Sequence, residues 1–217
     1  MIFAKIDYIN LLPFYVFIKK YIQSSQIKSI INYKKSYPSY INKLYKKRKI
    51  DAAFISSIVS KNRKCSNIGI IAQNEVFSVL AIKGESQDDI ESASSNVLAK
   101  ILKIKGKVII GDKALEYYYK NKSNNCIDLA KEWKNKYNLP FVFARFCFQK
   151  HNRYFTKLIS KFEKEEIKIP QYILNKYAKR SGLSKKQILD YLDKINYKIG
   201  YKEEKAIKLF LKLSKKF

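Results

Sequence analysis

Four stretches of this 217-residue chain set amides and hydroxyls at the point where an apolar, strand-like run gives way to a helical pattern. Asn10 lies between Asp7-Tyr8-Ile9 and Leu11-Leu12-Pro13-Phe14. Ser56 and Ser57 follow Ala52-Ala53-Phe54-Ile55 at what should be a carboxyl strand end. Ser94, Ser95 and Asn96 lead into Val97-Leu98-Ala99, and Asp112 follows Ile109-Ile110-Gly111. The first turn of a helix leaves backbone N–H groups unpaired and carries the positive end of the helix dipole, so such a junction binds anions and carbonyl oxygens. Added hydroxyls favour a partly buried carboxylate by about 1 kcal/mol each. The same residues also serve as plain N-caps, which is the simpler reading for Asn10 and Asp112. At Ser56 and Ser57 the two roles are compatible, because a cap sits among free N–H groups. Asp112 has further options as the orienter of a substrate hydroxyl or as a partner in hydrogen bonds between lobes.

Other chemistries lack support. GxSxG, P-loop, GxGxxG and HExxH patterns do not occur, which removes the usual basis for triad hydrolysis, phosphoryl transfer, hydride transfer and zinc proteolysis. His151 is the single histidine and has no cysteine or carboxylate at ligand spacing, so no metal and no cofactor are expected. Cys65, Cys126 and Cys147 are odd in number and widely spaced, which indicates neither a disulfide framework nor a zinc site and suits a reducing compartment.

The elements that must hold these residues form an α/β chain. Strands are predicted at 2–6, 27–31, 52–55, 68–71, 76–82, 108–110 and 141–148, alternating with helices in the manner of parallel βαβ units. Pro13 and Pro38 suit first helical turns, Ser94 or Ser95 suits the cap of a helix running to Lys103, and Asp112 that of one running to Lys120. After Phe148 helical periodicity takes over, with stripes at Phe155, Leu158, Ile159, Phe162 and at Ile188, Leu189, Leu192, Ile195. The long apolar strands 76–82 and 141–148 are placed to cross between two lobes. The division expected is residues 1–82 with 147–217 as lobe I, residues 83–146 as an inserted lobe II, a ligand cleft between them, and the helical tail packed back on lobe I.

A formal charge of +27 suggests a polyanionic partner, and Tyr177 to Leu189 has a helix–turn–helix pattern with Ser184 and Gln187 in capping-box spacing. Yet only five of the 45 basic residues are arginine, the side chain best suited to reading phosphates and guanines. Dispersed lysines point to a solvated surface, with no specific nucleic acid as partner. No apolar run approaches the ~20 residues needed to span a bilayer. The N-terminal run is broken by Lys5, Asp7 and Pro13, with no small-residue cleavage site after it. A cytoplasmic protein with no membrane partner is expected.

In this order, Asp7-Tyr8-Ile9-Asn10-Leu11-Leu12-Pro13-Phe14, Ile50-Asp51-Ala52-Ala53-Phe54-Ile55-Ser56-Ser57, Ile109-Ile110-Gly111-Asp112-Lys113-Ala114-Leu115 and Asp128-Leu129, with Glu132-Trp133 before Leu139-Pro140-Phe141-Val142-Phe143-Ala144, resemble the MqnA family of chorismate dehydratases. Val76-Phe77-Ser78-Val79 and the serine-rich turn add to the match, as does the tail from Asn152. The resemblance implies a two-lobed fold like the type 2 periplasmic binding proteins. It implies a carbon–oxygen lyase acting on a small molecule, chorismate, in the futalosine route to menaquinone. Under it, Ser94, Ser95 and Asn96 hold one carboxylate, Asn10, Ser56 and Ser57 hold the other end, Ser78 lines the floor and Asp112 contributes to the site. No residue among them is an obvious base, and the side-chain carboxylate of the substrate is the alternative. The rivals are a non-catalytic carboxylate-binding module, which the same fold allows, and a helix–turn–helix DNA-binding protein.

Overall fold

Apolar residues alternate with turn-forming ones over short distances, so the chain builds its core from many short elements and not from a few long ones. In the computed structural model, which describes residues 1–121 and 125–217, a 3-10 turn Ile9–Leu11 leads into α1 (Leu12–Tyr21), followed by α2 (Ser25–Tyr33) and α3 (Pro38–Lys46). Pro13 and Pro38 occupy first-turn positions, where a missing N–H costs nothing. Strand β1 (Ala52–Ser56) and strand β2 (Cys65–Ala72) come next, then β3 (Val79–Ile82), α4 (Ala93–Leu102), β4 (Lys107–Ile110), α5 (Gly111–Asn121), β5 (Cys126–Asp128), α6 (Leu129–Tyr137) and β6 (Phe141–Phe148). The tail comprises α7 (Asn152–Phe162), α8 (Gln171–Ser181), α9 (Lys185–Leu192), β7 (Ile195–Lys198) and α10 (Tyr201–Leu213).

The strands divide into two sheets, one ordered β1-β6-β2-β7 and one ordered β4-β3-β5. Each anchors a lobe, so the architecture is the expected two-lobed α/β fold. The larger lobe centres on Phe14, whose ring meets Phe54, Phe146 and Phe162 at centroid distances of 5.0, 5.6 and 5.1 Å. Phe162 belongs to α7, and β7 pairs with β2, so the tail packs on the larger lobe as expected.

Several expectations are corrected. Every described ladder is antiparallel, and parallel pairing survives only as isolated bridges such as Phe3 with Ala52 and Lys5 with Lys35. Residues 2–6 make just those two bridges, not a strand. Residues 27–31 are helical within α2, consistent with the i, i+3, i+4 spacing of Ile27, Ile30 and Ile31. The tail is not wholly helical, because β7 completes the larger sheet. Strand β3 lies in the smaller sheet and β6 in the larger, so the chain passes between the sheets before each of them. Cys65 and Cys147, expected as unpaired thiols, form a disulfide, since β2 and β6 register them directly opposite each other.

One carboxylate ties the first crossing to the smaller lobe. Asp128 Oδ2 accepts from the amides of Val76 (2.8 Å) and Phe77 (2.7 Å), while Oδ1 caps α6 by accepting from Ala130 (2.9 Å) and Lys131 (3.1 Å). Phe77 sits at φ +60°, a conformation disfavoured for a bulky side chain and held here by that bond. Asp128→Ala is expected to strand these donors and lower stability by about 3 kcal/mol, with Asp128→Asn losing less, as measured by denaturant unfolding.

Candidate active site

Where the lobes meet they enclose a cavity of about 60 Å³. Four helix starts deliver polar groups to it: Asn10 and Leu11 from the turn before α1, Ser56 from the end of β1, Ser92, Ser94 and Ser95 from the start of α4, and Gly111 from the start of α5. Ser78, just before β3, lines it as well, and Ile6, Phe54, Ile70, Ile110 and Phe143 supply apolar walls. No lining residue carries a charge, although the chain as a whole is at +27. Positive potential inside comes from peptide dipoles and N–H groups.

The cap of α4 is Ser92, whose Oγ accepts from the Ser95 amide at 3.1 Å. This releases Ser94 and Ser95, expected as caps, into the first turn. Ser94 Oγ accepts from the Ile58 amide at 3.2 Å, joining α4 to the end of β1 across the lobes. Ser56 is clamped by Asn42, which accepts from its amide (3.0 Å) and donates to its hydroxyl (2.8 Å). Asn10 caps nothing: neither the 3-10 turn nor α1 has a side-chain cap. Its Oδ1 is buried with no hydrogen-bond partner among the described residues, an unusual state for a buried polar atom and one that suits an acceptor kept for a ligand.

Three residues expected in the site stand outside the cavity. Ser57 turns away to donate to the Val142 carbonyl at 2.5 Å. Asn96 folds back on Asp89, accepting from its amide (2.9 Å) and donating to its carbonyl (2.8 Å). Asp112 accepts from the Ile9 amide at 3.0 Å through Oδ1 and from Arg180 through Oδ2, which realises the inter-lobe role foreseen for it as one option. Sequence reasoning missed Ser92, Gly111 and Tyr8. Ser92 was signalled by its position three residues before Ser95. Gly111 takes φ +68°, and a Cβ there would lie 2.8 Å from the Tyr8 ring. That ring is held by its hydroxyl, which donates to Glu91 Oε2 at 2.6 Å.

Behind the cavity, Arg180 of α8 bridges Asp112 and Asp7, meeting Asp7 Oδ2 at 2.7 Å and the Asp7 carbonyl at 3.0 Å. Asp7 also takes Tyr177 (2.6 Å), Lys35 (2.7 Å) and Lys5 (3.2 Å). Burial opposes its ionisation, but Lys35, Tyr177, Lys5 and Arg180 together hold the carboxyl well below its usual range. For Asp112, burial prevails over the Ile9 amide and Arg180 and pushes the carboxyl up.

The family described as menaquinone biosynthesis matches residues 86–216. A protein named chorismate dehydratase from Campylobacter jejuni subsp. jejuni serotype O:23/36 (strain 81-176) is 51% identical over 220 residues, covering 99% of this chain and 98% of that one. The chain belongs to the menaquinone biosynthesis family. The resemblance carried by the four segments and the serine turn is thereby borne out. Among solved structures, a protein of Archaeoglobus fulgidus aligns with a TM-score of 0.67 at 13% identity, covering 99% of this chain and 96% of that one. The periplasmic aliphatic sulphonate binding protein of Escherichia coli aligns at 0.50 and 11%, covering 100% and 91%. These likenesses establish the periplasmic-binding-protein-like fold and carry nothing about chemistry. Among the described residues, no helix is long and apolar enough to cross a membrane.

The Asp7 cluster sets a pH dependence. A carboxyl whose folded pKa lies below its unfolded value of about 3.9 contributes stability that is complete above that value and lost as pH falls below it. Thermal melts between pH 5 and pH 3 should therefore fall more steeply for the natural chain than for Asp7→Asn. Parallel curves would show that the cluster contributes nothing.

Proposed function

We propose that the chain is a chorismate dehydratase, a hydro-lyase that converts chorismate to 3-[(1-carboxyvinyl)oxy]benzoate in the futalosine route to menaquinone. The observation that carries this reading is 51% identity to a chorismate dehydratase along almost the full length of both chains. The cavity supports it. A neutral pocket lined by hydroxyls and helix starts suits a dicarboxylate whose charge spreads during reaction, because fixed dipoles stabilise developing charge without reorganising.

In chorismate the hydrogen on the ether-bearing ring carbon is activated through the diene by the ring carboxylate. Its removal as a proton sends negative charge toward that carboxylate, the neighbouring hydroxyl takes up a proton and departs as water, and the ring becomes aromatic. On this reading Ser94 and Ser95 with the start of α4 hold one carboxylate, Asn10 and Ser56 hold the opposite end, and Ser78 lines the floor. Ser57, Asn96 and Asp112 act indirectly, by fixing β6, the turn before α4 and the turn before α1. None of the cavity's side chains is a base, so the side-chain carboxylate of the substrate is the acceptor this reading assigns for the proton. Aromatisation supplies the driving force, and the enzyme's contribution is orientation. The lobes we propose are residues 1–75 with 141–217 and residues 79–138, with the substrate between them.

The decisive experiment mixes the purified protein with chorismate and follows the aromatic ether by chromatography and mass. Tight binding without turnover would establish the carboxylate-binding module instead. Asn10→Ala should lower turnover at least about tenfold, equivalent to ~1.4 kcal/mol of transition-state stabilisation, with little change in melting temperature because Asn10 caps no helix. Asn10→Ser should not restore the rate. Unchanged turnover in a folded Asn10→Ala protein removes Asn10 from the site.

A further inference from the structure

Asn10, on which the proposed chemistry leans most, sits in a three-residue 3-10 turn, a form with few and poorly aligned hydrogen bonds of its own. Its backbone carbonyl falls between two ladders. Helix α1 takes Leu11 as its N-cap, so the first carbonyl of that ladder is the one on Leu11. Extending the 3-10 turn would need an N–H three residues on, and that residue is Pro13, which has none. The carbonyl left over accepts from the Tyr197 hydroxyl at 2.6 Å.

Tyr197 is in turn fixed to the larger sheet. On either side of it, Asn196 lies opposite Ile71 and Lys198 opposite Ile68 in the β2–β7 ladder. Two residues on, the Ile199 amide donates to the Asn67 carbonyl at 2.7 Å, and the Tyr197 ring meets Phe162 edge-on at 5.5 Å. The same sheet carries Ser56, Ile70 and Ala144 into the cavity lining. Asn10 is thereby tied to the frame that holds Ser56, while the Ile9 amide ties the same turn to Asp112 in the smaller lobe. The tail supplies a second phenol nearby: Tyr191, on the buried face of α9, donates to Ser78 Oγ at 2.9 Å. Neither phenol lines the cavity itself.

We propose that Tyr197 is a positioning residue whose hydroxyl, through the Asn10 carbonyl, clamps the Asn10 turn to the larger sheet and fixes the Asn10 side chain relative to Ser56. The inference rests on the dehydratase reading, in which Asn10 and Ser56 hold one end of the substrate, and deepens it. A displacement of about 1 Å in such a group costs up to about 100-fold in rate, because the bound atoms no longer meet in the reactive geometry. Removing the hydroxyl leaves the carbonyl without its donor, and the short turn shifts to find another. Carbonyl and side chain belong to one residue, so no intervening element absorbs the shift.

Tyr197→Phe keeps the ring and removes only the hydroxyl. Hydrogen exchange, resolved amide by amide by NMR, reads the clamp without any ligand. The Leu11 amide, bonded to the Tyr8 carbonyl inside the turn, should exchange at least about tenfold faster in Tyr197→Phe. The Ile199 amide, in the strand that carries the phenol, should change less than about twofold. In turnover of chorismate, Tyr197→Phe should lower kcat at least about fivefold with KM changed less than about threefold. Placed on Asn10→Ala, the same substitution should cost less than about twofold, because its effect passes through the Asn10 side chain. Unchanged Leu11 exchange, equal acceleration of Leu11 and Ile199, or losses that simply multiply in the double variant each overturn the proposal. A natural chain whose Leu11 amide exchanges as fast as an unstructured peptide overturns it without any variant, so a poorly folded Tyr197→Phe does not protect it. A natural chain that does not convert chorismate sinks the dehydratase reading, and the exchange comparison still judges the clamp: selective acceleration at Leu11 supports it, and its absence overturns it.

Discussion

The Arg180 guanidinium, set between Asp7 and Asp112, is the contact on which the rest of the site depends. Two carboxylates brought together at a half-buried junction repel each other and lose hydration, and a single planar fork of donors satisfies both at once. The geometry has a wider reach than the ion pairs. Asp112 is at the head of α5 in the smaller lobe, Asp7 is in the segment before α1 in the larger one, and Arg180 is in the tail. Because Asp112 also receives the Ile9 amide, the turn that carries Asn10 is pinned one residue away from it. Tail, both lobes and the Asn10 turn are thus fixed by one cluster.

A chain at +27 with an uncharged cavity separates two tasks. Lysines on the outer surface create a positive field that draws dianions toward the protein and raises encounter rates without contacting the ligand. Inside, on the reading proposed, helix starts and hydroxyls bind carboxylates without a full cation. A buried lysine or arginine would hold the ground-state carboxylate as firmly as the transition state, and uniform binding does not speed chemistry. Dipoles spread around a cavity match charge that migrates from a breaking C–H bond into a conjugated acid better than one point charge does.

Much of this was legible in the sequence where local rules govern, and little of it where partners are far apart along the chain. Junction chemistry identified Asn10, Ser56, Ser94 and Ser95, and the family resemblance added Ser78; all five line the cavity. Ser57 and Asn96 obey the same local rule but spend their polar groups on Val142 and Asp89, choices that depend on the fold. The α/β alternation was read as parallel because strand direction is not encoded in a strand's own residues. Once β6 runs against both β1 and β2, the Cys65–Cys147 pairing follows from register, across 82 residues that no spacing rule links. The apolar stripe of α9 correctly predicted burial of Ile188, yet Tyr191, absent from that stripe, carries the polar consequence.

The tail therefore has a different standing from the one its pattern suggests. Periodicity presents α8 and α9 as a helix–turn–helix, and the Ser184–Gln187 capping box is indeed formed. Such a unit reads DNA by exposing the second helix, whereas the buried face of α9 here sends Tyr191 to Ser78 and α8 sends Arg180 to Asp7 and Asp112. Apolar packing alone would tolerate many tails of similar volume. Hydrogen bonds to Ser78, Asn10, Asp7 and Asp112 would not, because each leaves a buried donor or acceptor unpaired if its partner shifts. The tail's helices are thus constrained more by the few polar atoms they deliver than by the apolar stripes that make them visible.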